Sequence, residues 1–151
     1  HIKGKEKICI MELNQCINFL LTKAHQNVLN YFRARLHKFD VTPVQYAILS
    51  CLWIKNERTA TQIAQKLSLD GSTITGILDR MANKDLIKRE PDPNDRRAIR
   101  VVLTEKGIQL REPIEKTIKL TNQSVLDILS KEEQEQFVNY LERIIDGVNK
   151  L

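Results

Sequence analysis

Two clusters of side chains in this chain carry recognisable chemistry, and both suit gripping a polyanion better than breaking bonds. The first is Ser72, Thr73, Thr75 and Gly76, followed by Arg80. Short hydroxylated side chains and a glycine let a backbone approach base edges closely, and an arginine at the margin reaches a base or a phosphate. The start of a helix carrying them adds N–H donors and a positive dipole end for phosphate. The second is Asp95-Arg96-Arg97, set just after Pro91 and Pro93. An arginine on a narrow projection can enter a minor groove, most readily where A·T-rich sequence narrows the groove and deepens its negative potential. Asp95, directly before the pair, is expected to orient one guanidinium and so reduce the side-chain entropy lost on binding. Lys88, Arg89 and Arg100 flank this segment, within reach of a phosphate backbone. Taken singly, each cluster is also readable as a solvated helix face or a turn ion pair. Their adjacency is what distinguishes them.

Other chemistries find little support. There is no Gly-rich phosphate loop, nucleophile elbow or paired acid–base motif, so no catalytic residue is assigned and no cofactor is expected. His1, His25 and His37 lie far apart, and no two ligand-type residues share a helix face with a third convincingly near, which argues against a metal site. Cys9, Cys16 and Cys51 are odd in number and form no C-x-x-C pair, which points to a reducing compartment, and a cytoplasmic location is expected.

The elements that must position the two clusters can be read from spacing. The apolar residues Ile74, Ile77, Leu78 and Met81 fall at i, i+3, i+4 and i+7 behind Asp70, a good helix cap. They predict a helix whose opposite face holds Ser72, Thr75, Gly76, Asp79 and Asn83. Thr59-Ala60-Thr61-Gln62 has capping-box spacing and opens a shorter helix with Ile63, Ala64 and Leu67. Two short helices joined at Ser68–Gly71, the second with a small polar outer face, make a helix-turn-helix. Leu86–Glu90 and Ala98–Leu103 read as strands around the proline-rich Pro91–Arg97, giving a β-hairpin wing.

Around this lobe the pattern is helical. A long first helix is expected from about Lys7 to Lys38, carrying Ile10, Leu13, Ile17, Leu20, Leu21, Ala24, Val28, Tyr31 and Phe32. Its N-terminal half overhangs a small domain, and overhanging apolar helix implies a partner chain. Thr42-Pro43-Val44-Gln45 combines a capping box with proline at the first helical position, and Val44, Ala47, Ile48, Cys51 and Leu52 form its buried stripe. Thr104 is expected to cap a long helix running through Ile108, Leu110, Ile114, Ile118, Leu120, Val125, Ile128 and Leu129, with Pro113 removing a hydrogen bond. Ser130-Lys131-Glu132-Glu133 starts a last helix with Phe137, Val138, Leu141, Ile144, Ile145 and Val148.

Composition agrees with a single globular domain over residues 1–151: 42% of residues are hydrophobic and 28% charged, with five glycines and four prolines. The net charge of +5 is uneven. Residues 1–104 hold 17 Lys/Arg against 10 Asp/Glu, and residues 105–151 hold 7 against 9. A basic front and a mildly acidic back suit a polyanion-binding module joined to a packing module. No apolar run reaches the eighteen or so residues of a membrane span, so no membrane partner is expected. Ile8–Met11 is too short for a signal-peptide core.

Three stretches together resemble the MarR family of winged helix-turn-helix transcriptional regulators. They are Val41–Leu49, Asp70–Met81, and the wing Leu86–Ala98 followed by Val102-Leu103-Thr104-Glu105-Lys106-Gly107. The resemblance extends from Leu13 to the C-terminus. It implies a mainly α fold with a small β-hairpin wing, a DNA-binding lobe over 42–104, and dimerisation helices over 11–38 and 105–151. It implies a homodimer on a pseudo-palindromic duplex operator, acting as a repressor released by a small molecule. By the family pattern Asp95 and Arg97 are the wing pair, with Arg97 in the minor groove, and Ser72, Thr73, Thr75 and Arg80 touch DNA. Twofold symmetry then separates the recognition helices by about 34 Å, one helical turn of DNA.

The resemblance also implies an aromatic or phenolic effector bound between the dimer helices and the lobe. His25, Tyr31, Tyr46 and Trp53 are candidates for lining such a pocket, although each alone reads first as a core or interface residue. A redox branch of the family senses peroxides through a cysteine near the start of the first helix, where Cys16 lies. Aligning Phe19-Leu20-Leu21 with that branch puts Asn18 at the sensing position and Thr22 where tyrosine is usual. Cys16 shares a stripe with Leu13 and Leu20, so packing is its default role.

Overall fold

The computed structural model describes residues 11–151; Cys9, His1 and the part of the first helix expected before Met11 lie outside the described residues. The elements follow in order: α1 (Ile17–Leu36), α2 (Pro43–Ile54), β1 (Arg58–Thr59), α3 (Ala60–Leu67), α4 (Gly71–Asn83), β2 (Ile87–Pro91), β3 (Ile99–Leu103), α5 (Glu105–Gln109), α6 (Arg111–Leu126) and α7 (Lys131–Val148). The fold is mainly α with one small antiparallel sheet, as the patterning implied.

Helix starts obey their caps. Thr42, Thr59 and Ser130 each accept from the backbone N–H three residues on, while Gln45, Gln62 and Glu133 return the bond to the cap residue's own N–H. All three boxes anticipated from spacing are closed. The sheet has the order β1-β3-β2, and β2 pairs with β3 from Ile87 opposite Leu103 to Pro91 opposite Ile99. The hairpin strands each begin one residue later than the alternation suggested. Strand β1 went unread because two residues cannot display a period; Arg58 and Thr59 pair with Val101 and Arg100.

Two long helices are shorter than expected. Leu13–Gln15 forms a 3₁₀ turn, and Cys16 is extended (φ −78°, ψ 116°) before α1 begins. The apolar four-residue spacing of Leu13 and Ile17 continues across this break, which hides it from a periodicity argument. The helix expected from Thr104 is likewise two: Thr104 caps the five-residue α5, and Leu110 separates it from α6. Pro113 lies in the first turn of α6 and has no N–H to give the Gln109 carbonyl four residues back, so the interruption at Leu110 falls where the proline removes a bond.

The core sits in the lobe and is completed by the end of α1 and the start of α6. Leu36, Ile48, Leu49, Leu52, Ile63, Ile74, Leu78, Met81, Leu86, Val101 and Ile114 are essentially inaccessible, each worth roughly 1.5–3 kcal/mol of burial. Trp53 closes one side, its indole N–H donating to the Gly107 carbonyl at 2.9 Å. Gly107 is obligatory here, because a Cβ would collide with the Leu86 backbone carbonyl. In contrast α7 buries no residue, and its Phe137, Val138, Ile144, Ile145 and Val148 stand exposed, as do Leu13, Ile17, Leu20 and Leu21 of the N-terminal segment. Among the described residues no helix is long and apolar enough to cross a membrane.

Candidate nucleic-acid interface

Helix α4 is oriented by what it buries. Ile74, Ile77, Leu78 and Met81 are at most 4% exposed, which fixes Ser72, Thr73, Thr75 and Arg80 on the solvent side. Asp70 organises the first turn. Its carboxylate accepts from the Thr73 N–H (2.7 Å), the Ser72 hydroxyl (2.7 Å) and the Thr73 hydroxyl (2.8 Å). These bonds favour the ionised form and hold the Asp70 carboxyl down to about 2, led by the Thr73 N–H. Thr75 donates its hydroxyl to the Gly71 carbonyl at 2.8 Å.

Two consequences follow. The Thr73 N–H at the start of α4 is taken by the Asp70 carboxylate in the free chain, which removes one of the donors expected there for phosphate. The three hydroxyls direct their protons inward and present lone pairs outward. Outward acceptors suit the exocyclic amino groups of adenine and cytosine in a major groove. Gly76 lies beneath the Arg80 guanidinium, and a Cβ there would make only ordinary contact with it; the free protein does not require glycine at this position.

The wing is a loop tied by its own aspartates. Asp92 accepts from the N–H groups of Asn94 (2.8 Å) and Asp95 (3.2 Å), and Asp95 accepts from the Arg97 N–H at 2.9 Å. Asp92 and Ala98 close the base, the Asp92 N–H donating to the Ala98 carbonyl at 3.0 Å. Asp95 therefore shapes the backbone beneath Arg97 and does not hold a guanidinium, which corrects the expected pairing. The physical reason is local: an aspartate side chain reaches the N–H two residues on without ordering a long, mobile partner. Arg96 and Arg97 are exposed and form no ion pair among the described residues.

The strand cations divide. Lys88 pairs with Glu90 at 2.9 Å, and Arg89 reaches across to Asp79 on α4 at 2.7 Å, which ties the wing to that helix. Both pairs are solvent-accessible and exchangeable. Arg100 is not available to a phosphate. Its guanidinium, 21% exposed, is bound to Glu57 (2.9 Å) and Glu90 (3.1 Å), with its Nε buried and unpartnered. Lys88 and Arg100 together lower the Glu90 pKa. Glu57, in the left-handed region at φ 65°, directly precedes β1 and locks the sheet edge through this pair. Nothing in the linear sequence brings Glu57 and Glu90 to Arg100; only the β1-β3-β2 order does.

The four aromatic candidates are not gathered at one cavity. Trp53 is buried in the core, with Tyr46 tilted against it at 6.3 Å between ring centres. Burial raises the Tyr46 pKa. Tyr31 lines a cleft of about 190 Å³ between α1 and α6 with Arg35, Lys38, Thr117, Leu120, Thr121 and Ser124. The Arg35 guanidinium donates to its phenol oxygen at 2.9 Å, and that bond leads in lowering the Tyr31 pKa. His25 is exposed on α1. Cys16 is half-buried at the break before α1, and Cys51 is buried in α2. Among the described residues no cluster of three or more His, Cys, Asp or Glu could hold a metal ion.

Known proteins share this geometry. A family model described as MarR family matches residues 41–99, the span from just before α2 to the first residue of β3. The chain is 30% identical over 130 residues to the HTH-type transcriptional regulator MhqR of Bacillus subtilis, covering 86% of this chain and 88% of that one. Among solved structures it resembles a probable transcriptional regulator from Pseudomonas aeruginosa, with a TM-score of 0.83, 29% identity, and coverage of 88% and 99% of the two chains. It also resembles MepR of S. aureus in a DNA complex, with a TM-score of 0.80, 27% identity, and coverage of 87% and 98%.

Proposed function

This chain belongs to the MarR family, and on that footing we propose that it is a homodimeric repressor that binds a pseudo-palindromic duplex operator. The proteins it resembles are transcriptional regulators, a class that performs no catalysis. One observation carries the reading. Helix α4 turns Ser72, Thr73, Thr75 and Arg80 to solvent beside a hairpin that exposes Arg96 and Arg97. A major groove accommodates the helix, and the adjoining minor groove takes the guanidinium of Arg97. Lys88 and Arg89 exchange their carboxylate partners for phosphates on binding.

The dimer rests on the apolar faces of residues 11–38 and 105–151, which this chain alone leaves uncovered. Exposed patches of this kind are protein-interaction surfaces in soluble proteins. A twofold pairing through them sets two α4 helices on successive major grooves, with 42–104 as the DNA-binding lobe. Release by a small aromatic or phenolic effector is the reading for regulation, with Tyr31 lining an open cleft that such a molecule could enter.

The test is a gel-shift titration with the region upstream of the protein's own gene. The wild-type chain is expected to bind tightly and in a salt-dependent manner, and Arg97→Ala to bind far more weakly. Equal binding by both forms across the salt range refutes the wing assignment.

A further inference from the structure

A second basic surface is formed by Lys55 after α2, Arg58 of β1 and Lys66 of α3, outside the recognition helix and the hairpin tip already described. Gln62 and Lys66, four residues apart, share one line along α3, and Arg58 of β1 lines the same depression. Lys55 and Gln65 flank that line, and the five residues line a single depression of about 390 Å³. The Arg58 Nε donates to the Lys55 carbonyl at 3.2 Å, which steadies the guanidinium. Lys55, Arg58 and Lys66 form no ion pair among the described residues. The acidic neighbours in sequence are already occupied: Glu57 is bound to Arg100, and Asp70 to the first turn of α4. Three cations thus lie together with no carboxylate paired to them.

This strip adjoins the outer face of α4. A neighbouring depression of about 400 Å³ is lined by Thr61 and Gln65 of α3 together with Gly71 and Thr75 of α4, so Gln65 borders both. In a helix-turn-helix seated on DNA the second helix enters the major groove while the first crosses the backbone at the groove's edge. Side chains on the outer line of the first helix then stand over phosphates, which position a protein without reading sequence.

We propose that Lys55, Arg58 and Lys66 form a phosphate-binding strip, which grips the DNA strand bordering the groove that α4 occupies. The proposal rests on the reading of α4 as the recognition helix. It adds cations at the first helix and at β1, the strand that pairs with β3, to those of α4 and the hairpin tip. Its contribution is independent of base sequence and is driven by the release of counterions from the duplex.

The experiment measures log Kobs against log salt by fluorescence anisotropy. The probes are a labelled duplex from the upstream region and a mixed-sequence duplex of equal length. The neutralised form Lys55→Gln/Arg58→Gln/Lys66→Gln is expected to lower the slope on both duplexes, by about 0.9 for each phosphate left without its cation, or up to about 5 for the six cations of a dimer. The charge-retaining form Lys55→Arg/Arg58→Lys/Lys66→Arg is expected to keep the wild-type slope, which separates the effect of charge from damage to the fold. Lys119→Gln/Lys131→Gln/Lys150→Gln makes the same change in net charge outside the lobe and is expected to leave the slope in place. An unchanged slope in the neutralised form, or an equal fall in the Lys119 form, overturns the strip while the α4 reading stands. Failure of the wild-type chain to bind either duplex overturns the α4 reading, and the strip with it.

Discussion

Trp53 separates a structural role from a ligand-binding one, and Trp53→Phe tests which it has. The indole N–H donates to the Gly107 carbonyl at 2.9 Å, and the residue is 8% exposed. Phenylalanine removes the donor and leaves the carbonyl of a buried residue unpaired, at a cost of about 1–3 kcal/mol. The smaller ring also vacates space between α2 and α5, adding about 1 kcal/mol. The sum is about 2–4 kcal/mol, which for a chain of this size lowers Tm by roughly 5–15 °C. Urea and thermal unfolding followed by circular dichroism measure it. Trp53 is the sole tryptophan, so wild-type emission is expected to be that of a buried indole, poorly quenched by acrylamide. A variant within about 0.5 kcal/mol of wild type, or water-like emission quenched readily, refutes the reasoning and returns Trp53 to the pocket.

Gly107→Ala forces a Cβ against the Leu86 carbonyl and is expected to cost about 1–3 kcal/mol in a urea titration. Arg97→Ala leaves the melting temperature unchanged, because the side chain is exposed and forms no ion pair among the described residues, and weakens duplex binding by about tenfold or more in anisotropy. Asp70 titrates at about 2 in the folded chain against an ordinary 3.8. Its contribution to stability is therefore complete above about pH 4 and lost as pH falls from about 4 towards 2. Asp70→Asn keeps a capping oxygen but abolishes this component, so its urea midpoint is expected to fall less than that of wild type between about pH 5 and about pH 2.5. Asp95→Ala removes the carboxylate that accepts the Arg97 N–H and is expected to reproduce the Arg97→Ala defect in part, without altering the melting temperature.

The legible parts of the sequence were those fixed by local rules. The boxes at Thr42, Thr59 and Ser130, the cap at Asp70 and the buried stripe of α4 all depend on residues within one or two turns, and all are present. The change of periodicity after Asp85 and the proline-rich Pro91–Arg97 anticipated the hairpin that β2 and β3 form. The features that escaped are non-local. Arg100 looked like a phosphate ligand until β1 delivered Glu57 and β2 delivered Glu90 to it. Asp95 looked like a guanidinium partner because a sequence does not say whether an aspartate turns to a neighbouring side chain or to a backbone N–H. The break at Cys16 kept the apolar spacing intact and so left no trace. The strip left only the four-residue step of Gln62 and Lys66, and spacing alone does not show that Lys55 and Arg58 join them or that Glu57 is engaged elsewhere.

Hydroxyl-radical footprinting of the upstream duplex reaches most directly the idea that α4 and the wing address DNA together. The wild-type chain is expected to protect two half-sites about one helical turn apart, with flanking protection in the minor grooves. Arg97→Ala should erase the flanking minor-groove protection first. A duplex that shows no protected half-sites, or a flanking pattern indifferent to Arg97, would contradict the account.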